Sequence, residues 1–270
     1  MTATALWQNA RWQVVLPEQS LTPAQLAIVD RDPTRGIDRD AAAAMLEAYR
    51  RARSALWQVA RSRGFQVSFA VEWEPDEDAV GEPDPIAGAA RVVQVFGRDP
   101  QAQVSPVRAM AQPRKHRSYL TSDPDRIAAL SDALAAPLVD GAEITVPGPS
   151  DAECDGCWPD VLTSQERWRA DGVRVIRPRH VLIDPQVIVL PLRHVVSFGD
   201  LTAEELSSLF ARLDEVRHQF GLASGSTGLS CFANDGTAAR QETPHVHLHV
   251  FGRAADEADN PFVLLGRRLS

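Results

Sequence analysis

Three histidines alternate with apolar residues in the segment TPHVHLHVFGR at 243–253. Alternate residues of a β-strand face the same side of a sheet, so a strand here would place His245, His247 and His249 in one row, about 6.6 Å apart. The intervening apolar residues would then face the core. Three imidazoles in one row indicate a metal site, a nucleophile with helper groups, or both.

A loop with small residues, NDGTAARQETP, leads into the histidines. Such a loop can bring backbone N–H groups close to an anion, and the amides of Asn234 and Gln241 add side-chain donors. An imidazole beside an anion-binding loop is typical of phosphoryl or nucleotidyl transfer. The histidine attacks phosphorus and holds it as a phosphoramidate, which water or another acceptor then releases.

Two of the three cysteines form the sequence CDGC, as Cys154 and Cys157. In a reducing compartment such a pair is more often half of a metal site or a redox pair than a structural disulfide. A zinc site needs two further nitrogen or sulfur ligands. The third cysteine, Cys231, lies in the apolar stretch GLSCFA and is expected to be a buried small side chain.

The elements that position these groups form two copies of one α+β unit of about 100 residues, each with its strands and one main helix in the same order. The segment VFGR occurs at 95–98 and again at 250–253. Upstream of each copy lies an amphipathic helix, the first with Asp38 as a candidate N-cap and the second with Thr202 and Glu205 as a capping box. Like repeats usually pair, so we expect the copies to share a sheet.

We expect residues 1–109 to form a degenerate repeat without the triad, 110–153 a linker with a basic stretch and a short helix around 124–136, and 154–270 the active domain with the CDGC pair. The Pro- and Gly-containing end of the linker supports the second boundary.

Alignment on VFGR places the triad positions of the first repeat at Ala90, Val92 and Gln94. Val92 cannot attack phosphorus, so we expect one active site per chain. The basic cluster at 114–117 follows the first repeat. It is either a solvated loop or a group that reaches across to a phosphate.

The loop and the histidines together resemble the signature of the histidine triad (HIT) superfamily of nucleotide hydrolases and nucleotidyltransferases. The matching pattern, N-x-G-x4-Q-x3-H-x-H-x-H, comprises Asn234, Gly236, Gln241, His245, His247 and His249. The resemblance extends over about 154–253. The tandem layout is similar to the branch of galactose-1-phosphate uridylyltransferase and diadenosine tetraphosphate phosphorylase. It implies an α+β fold of two HIT-like repeats, each an antiparallel sheet with a main helix, joined as an intramolecular pseudo-dimer.

The resemblance also implies a role for each site residue. His247 is the nucleophile and His249 binds and polarises the phosphate, and Gln241 and His245 complete the catalytic group. The expected substrate-binding residues are Asn234, Gly236, Gln241, Thr243 and His249.

Structural Zn²⁺ is the cofactor that the resemblance implies, held by Cys154, Cys157, His194 and His245. A site closed by four protein ligands holds the fold and leaves no position for a reacting water. It would fix His245 and, through the chain, His247. Zinc at this pair would exclude redox chemistry there.

Two departures from the tandem branch bear on the activity. Its transferases usually carry Gln as the third triad member, where this chain has His249, and their active motif is in the first repeat. We therefore expect a nucleotide hydrolase that forms a covalent nucleotidyl-histidine at the α-phosphorus of a nucleoside phosphate, dinucleotide or nucleotide-sugar. The alternatives are a nucleotidyltransferase or phosphorylase that passes the group to a sugar phosphate or phosphate, and a zinc-stabilised nucleotide-binding module without turnover.

The composition of the chain limits the classes of partner that it is expected to bind. The 270 residues carry a net charge of −8 and the pI is about 5.4, which argues against nucleic-acid and anionic-membrane partners. No apolar run approaches the length of a membrane span, and the start MTATALWQNARW lacks the build of a signal peptide. We expect a cytoplasmic protein acting on a nucleotide-like small molecule. One chain holds both repeats, so a monomer suffices and a homodimer is equally compatible.

Overall fold

The computed structural model describes residues 2–73, 83–98, 105–144, 153–158, 164–255 and 259–268. The strands are β1 Ala3–Gln8, β2 Trp12–Pro17, β3 Gln19–Ser20, β4 Gln25–Asp30, β5 Gly64–Val71, β6 Val92–Arg98, β7 Leu120–Thr121, β8 Glu166–Ala170, β9 Val173–Ile176, β10 Gln186–Pro191, β11 Gly228–Asp235 and β12 Leu248–Arg253. The α-helices are α1 Arg39–Ala60, α2 Pro106–Met110, α3 Pro124–Ala135, α4 Gly141–Ile144, α5 Ala203–Ser224 and α6 Pro261–Arg268.

Ten of the strands form one sheet in the order β1-β2-β4-β6-β5-β11-β12-β10-β9-β8, with every neighbouring pair antiparallel. Outward from the centre, β5-β6-β4-β2-β1 and β11-β12-β10-β9-β8 have equivalent positions in the two repeats. The halves meet where β5 pairs with β11. The predicted two-repeat α+β fold with a shared sheet is therefore confirmed.

The register of the strands repeats as well as their order. Gln25 pairs with Phe96 in the first half, and Gln186 pairs with Phe251 in the second. At the outer edges, Trp7 and Trp168 each follow a register shift. Such agreement in pairing indicates that the repeats share one structural plan.

The two long helices have the predicted N-termini. The Asp38 carboxylate accepts a hydrogen bond from the backbone N–H of Ala41 at the start of α1, and Thr202 and Glu205 form the capping box of α5. Each helix has 22 residues and ends in a left-handed residue. The helices contact each other and pack on one face of the sheet, over a core that runs through both halves.

The opposite face of the sheet carries the candidate chemistry. A smaller apolar cluster there includes Phe96, Phe232 and Phe262, to which α2 and α6 contribute. The linker helix predicted around 124–136 is α3, whereas residues 145–152 at the end of the predicted linker lie outside the described residues. The domain boundaries themselves remain a prediction. In the described part of the chain, no helix is long and apolar enough to cross a bilayer.

Candidate functional site

The three histidines do not form the single row on a strand that their spacing predicts. Strand β12 begins at Leu248, so His249 lies on it, and His245 and His247 lie just before it. The reason is local: the backbone N–H of Val246 donates to the carbonyl of Val195, at 2.6 Å. The apolar residues between the histidines are buried in the core, as expected.

His247 is held in one orientation by its own neighbour. Its Nδ1 lies 2.8 Å from the backbone carbonyl oxygen of His245. A carbonyl can only accept, so Nδ1 carries the proton and Nε2 has the free lone pair. Burial lowers the pKa of His247 and favours the neutral ring. Neutral imidazole with an unprotonated Nε2 is the form that attacks phosphorus.

His249 stands beside His247 among aromatic rings. The two imidazole centroids are 5.1 Å apart, and His249 stacks on Phe251 with an angle of 8° between the rings. The amide Nε2 of Gln186 lies 3.5 Å from His249 Nδ1. An amide N–H donates, which leaves the proton on His249 Nε2. Burial lowers the pKa of His249 to about 3, so this residue is a neutral N–H donor.

Gln241 closes the loop that precedes the histidines. Its Oε1 accepts from the Gly236 N–H at 2.8 Å, and its Nε2 donates to the Val196 carbonyl at 2.8 Å. Gly236 has φ 91°, a conformation that favours glycine. The described contacts of Gln241 are thus to backbone, and its predicted catalytic role remains a prediction. Thr243 contributes its carbonyl, which accepts from His245 N–H at 2.8 Å.

Asn234 links this loop to the first repeat. Its Oδ1 accepts from Gln66 Nε2 at 3.1 Å, and its Nδ2 donates to the Arg240 carbonyl at 3.3 Å. Gln66 lies on β5, directly opposite Asn234 on β11. The degenerate repeat therefore helps to position Asn234, a predicted substrate-binding residue. The motif alone does not reveal this role of the first repeat.

A buried polar cluster beside the loop was not predicted from the sequence. The Asp235 carboxylate is fully buried; it accepts from Tyr49 Oη and from Ser197 Oγ, the latter at 2.9 Å. Arg53 donates to the same serine at 2.5 Å. Burial raises the pKa of Asp235, and the nearby Arg53 charge opposes that shift. Tyr49 and Arg53 come from α1, so the first repeat also supports the loop from the helix face.

The four predicted metal ligands converge. One ligand atom from each of Cys154, Cys157, His194 and His245 lies within 4.8 Å of the others. Cys157 Sγ is 3.3 Å from His194 Nδ1 and 3.4 Å from His245 Nδ1, and Cys154 Sγ is 4.0 Å from His245 Nδ1. Sulfur and nitrogen ligands of a tetrahedral Zn²⁺ stand about 3.5 Å apart.

The surroundings of this cluster fit a metal. His245 Nε2 lies 3.0 Å from the Pro191 carbonyl, to which its N–H donates, and metal-bound histidines are commonly oriented in this way. Burial lowers the pKa of His245 to about 4, which keeps Nδ1 available as a ligand. A Cβ on Gly156 would lie 2.9 Å from the His245 Cβ, so glycine is required for the CDGC turn to approach the ring.

The first repeat retains the frame of the site without its histidines. Gln25 Nε2 donates to Gln94 Oε1 at 3.0 Å, as Gln186 does to His249. Both glutamines accept from a backbone N–H four residues earlier, Leu21 and Leu182. The alignment that makes Gln94 the counterpart of His249 in the first repeat therefore agrees with the structure. In the basic cluster, Arg114 and Arg117 pair with Asp84, within the first repeat.

Comparison with known proteins places the second half of the chain in one family. The family description "HIT domain" matches residues 171–256. An uncharacterised 13.2 kDa HIT-like protein of Azospirillum brasilense is 32% identical over 90 residues, which are 29% of this chain and 72% of that protein.

Two further proteins are similar to this chain, one in sequence and one in structure. The bifunctional bis(5′-adenosyl)-triphosphatase/adenylylsulfatase FHIT of Arabidopsis thaliana is 36% identical over 82 residues, and the match spans 30% of this chain and 42% of that enzyme. An ADP-glucose phosphorylase from Arabidopsis thaliana, solved with bound ADP-glucose, superposes with a TM-score of 0.55 at 11% identity. That match covers 96% of this chain and 79% of the phosphorylase, so the likeness to a solved structure extends over both repeats.

Proposed function

Because the chain belongs to the histidine triad (HIT) family, we propose that it is a nucleotide-processing enzyme that works through a covalent nucleotidyl-histidine on His247. The substrate is a nucleoside phosphate, dinucleotide or nucleotide-sugar, and the acceptor is water. The named activities of its relatives support the substrate class, since the Arabidopsis relative is a bis(5′-adenosyl)-triphosphatase.

The observation that carries the proposal is the hydrogen bond from His247 Nδ1 to the His245 carbonyl. It directs the lone pair of Nε2 away from the chain. In the first step an Nε2–P bond forms at the α-phosphorus while the bond to the leaving group breaks, and the leaving group keeps the electron pair. In the second step water attacks phosphorus and loses a proton to the solvent, the N–P bond breaks, and its electron pair returns to His247.

His249 and the loop stabilise the negative charge that develops on the phosphate oxygens during the reaction. His249 offers an N–H because Gln186 occupies its other nitrogen. Asn234 lies near the end of β11; its Nδ2 gives one hydrogen to the Arg240 carbonyl, which leaves the second for a phosphate oxygen. The N–H of Gly236 already donates to Gln241 Oε1, so Gly236 contributes the shape of the loop. Donors fixed before the reaction stabilise developing negative charge with little reorganisation.

Zinc is the metal that suits the four Cys and His ligands. Held by Cys154, Cys157, His194 and His245, it would fill a closed site and supply stability. It also bears on catalysis indirectly. The carbonyl of the ligand His245 is the group that orients His247, so the metal site and the nucleophile share one residue.

A second candidate is transfer rather than hydrolysis. The likeness to the ADP-glucose phosphorylase covers nearly the whole chain, which favours a phosphate or sugar phosphate acceptor. His249 in place of the glutamine that those transferases usually carry favours water. We place hydrolysis first because this difference lies in the site itself.

Product analysis in H₂¹⁸O separates the candidates. The enzyme is incubated with diadenosine triphosphate or ADP-glucose, with and without inorganic phosphate. With ADP-glucose, hydrolysis gives AMP that carries ¹⁸O, whereas phosphorolysis gives ADP and requires phosphate. With diadenosine triphosphate, ADP is the leaving group in both reactions, so hydrolysis is recognised by ¹⁸O-labelled AMP and phosphorolysis by a second ADP in its place. Products formed equally well by His247→Ala would refute the mechanism. Tight nucleotide binding with no product from any substrate would instead support the binding module.

A further inference from the structure

A cavity of about 410 Å³ lies in the first repeat, and we propose that it is a second ligand site that binds a phosphate monoester without reacting with it. The inference does not depend on the catalytic proposal. It rests on the position of the cavity and on its unsatisfied hydrogen-bond donors, one of which belongs to a guanidinium group.

The cavity occupies the first repeat's counterpart of the catalytic site. Gln94, Ser68, Phe232 and His249 are directly opposite one another across the neighbouring strands β6, β5, β11 and β12. They therefore share a face of the sheet, with Gln94 and His249 about 15 Å apart at the usual strand spacing. Gln94 and Ser68 line the cavity. The two sites are thus neighbours on one surface.

The lost histidines leave space. Ala90 and Val92 stand at the first and second triad positions, and both line the cavity. Their side chains are smaller than imidazole and offer no nucleophile, so a bound phosphate ester would not be attacked here. The volume suits a small molecule such as a nucleotide or a sugar phosphate.

The wall of the cavity holds donors that lack acceptors. Ser68 Oγ, Trp73 Nε1 and Arg114 Nη2 are buried and have no hydrogen-bond partner among the residues that the structure describes, and all three residues line the cavity. A buried donor left unpaired costs about 1–3 kcal/mol. Three such groups around one cavity indicate a ligand rich in acceptor oxygens.

One of the donors without a described partner belongs to a charged group, the guanidinium of Arg114, which stands beside a buried carboxylate. The Asp84 carboxylate accepts from Arg117 Nη1 at 3.1 Å and from Tyr119 Oη at 3.0 Å, and Arg114 Nε lies 3.2 Å from it. Two guanidinium groups therefore neutralise Asp84, and Glu72, which is exposed, is the other carboxylate residue among those that line the cavity. The ion pair with Asp84 fixes Arg114, whose Nη2 has no hydrogen-bond partner in the described part of the chain. An acceptor-rich anion of this size is a phosphate monoester.

Equilibrium dialysis with labelled AMP and with labelled inorganic phosphate tests the site. The wild-type chain is expected to bind two AMP, one at the triad and one in the cavity. Ala90 is exposed, so Ala90→Phe should fold and fill the cavity, and we expect it to lose one of the two sites. Ala87→Phe is the matched control, because Ala87 is exposed nearby but does not line the cavity; it should keep both.

Arg114→Gln is a second, independent variant, since Arg117 and Tyr119 still hold Asp84. It should weaken phosphate and AMP at the cavity about tenfold or more, the effect of removing a charged donor. If the triad does not bind AMP, one site should remain, sensitive to Ala90→Phe and indifferent to His247→Ala. Binding of both probes that is unchanged in Ala90→Phe and Arg114→Gln, or absent from the wild type, would overturn the proposal.

Discussion

At the scale of single residues, the site depends on which nitrogen of each histidine carries the proton. Backbone carbonyls fix His245 and His247, and the Gln186 amide fixes His249. All three are held neutral by burial, which lowers their pKa values. The spacing of the histidines and cysteines indicates a site, and the resemblance to the family predicts which of them are the ligands and which is the nucleophile. It does not predict the partner carbonyls, because those depend on where β12 begins.

The pKa of His249 has a consequence for stability. In the unfolded chain the imidazole takes a proton below about pH 6.5, whereas in the folded chain it does so only near pH 3. Between these values the unfolded state binds more protons, so the free energy of unfolding falls as the pH is lowered, by up to about 1.4 kcal/mol per pH unit.

His249→Gln should remove this contribution and flatten the pH dependence of the free energy of unfolding, measured by urea titration from pH 7 to pH 4.5. Glutamine fits because Gln94 occupies the equivalent place in the first repeat. His218→Gln, at an exposed position of α5, is the control and should keep the wild-type slope. A slope unchanged in His249→Gln would mean that His249 titrates like an exposed histidine.

Cys157→Ser tests the metal cluster. Cys157 Sγ is near both histidine ligands, so its loss should lower zinc content, measured by mass spectrometry of the metal, from about one per chain to a small fraction. The melting temperature should fall because the metal stabilises the fold. Turnover should also fall, because the ligand His245 orients His247. Cys231→Ala should keep the metal, since Cys231 lies in the core of β11. Full zinc content in Cys157→Ser would contradict the assignment.

At the scale of elements, the loop between β11 and β12 is held from both faces by the degenerate repeat. Gln66 on β5 contacts Asn234, and Tyr49 on α1 contacts Asp235. The helix caps were predictable because their signals are a few residues long. The Tyr49–Asp235 contact joins residues 186 positions apart, and only the sheet order brings them together.

Tyr49→Phe removes one donor from the buried Asp235 carboxylate and should lower the free energy of unfolding by about 1–3 kcal/mol. Because Asp235 stands between Asn234 and Gly236, KM should rise more than kcat falls. Tyr119→Phe is the matched control: it removes the same kind of bond from Asp84 in the first repeat. It should destabilise the chain with little change in kcat/KM. Equal effects of the two variants on KM would argue against a role for α1 in positioning the loop.

At the scale of the whole molecule, one chain contains a two-repeat sheet with a single histidine triad. The duplication could be predicted from the repeated VFGR segment and from the order of the elements. The segment recurs because it occupies the same place in the strand register of both repeats. The sequence could not show that the first repeat keeps a cavity where its triad would be, or that it reaches into the second repeat through Gln66 and Tyr49. The cavity is lined by the small residues at the lost triad positions, Ala90 and Val92, and the contact of Gln66 with Asn234 follows from pairing of β5 with β11.

Intact-mass spectrometry after brief mixing with a nucleotide substrate, quenched at high pH where a phosphoramidate survives, tests the central claim most directly. The wild-type chain should gain the mass of one nucleotidyl group, and only one, although it carries two repeats. His247→Ala should gain none, and peptide mapping should place the group on His247. A second group on the chain, or an adduct that persists in His247→Ala, would contradict an account in which His247 alone attacks phosphorus.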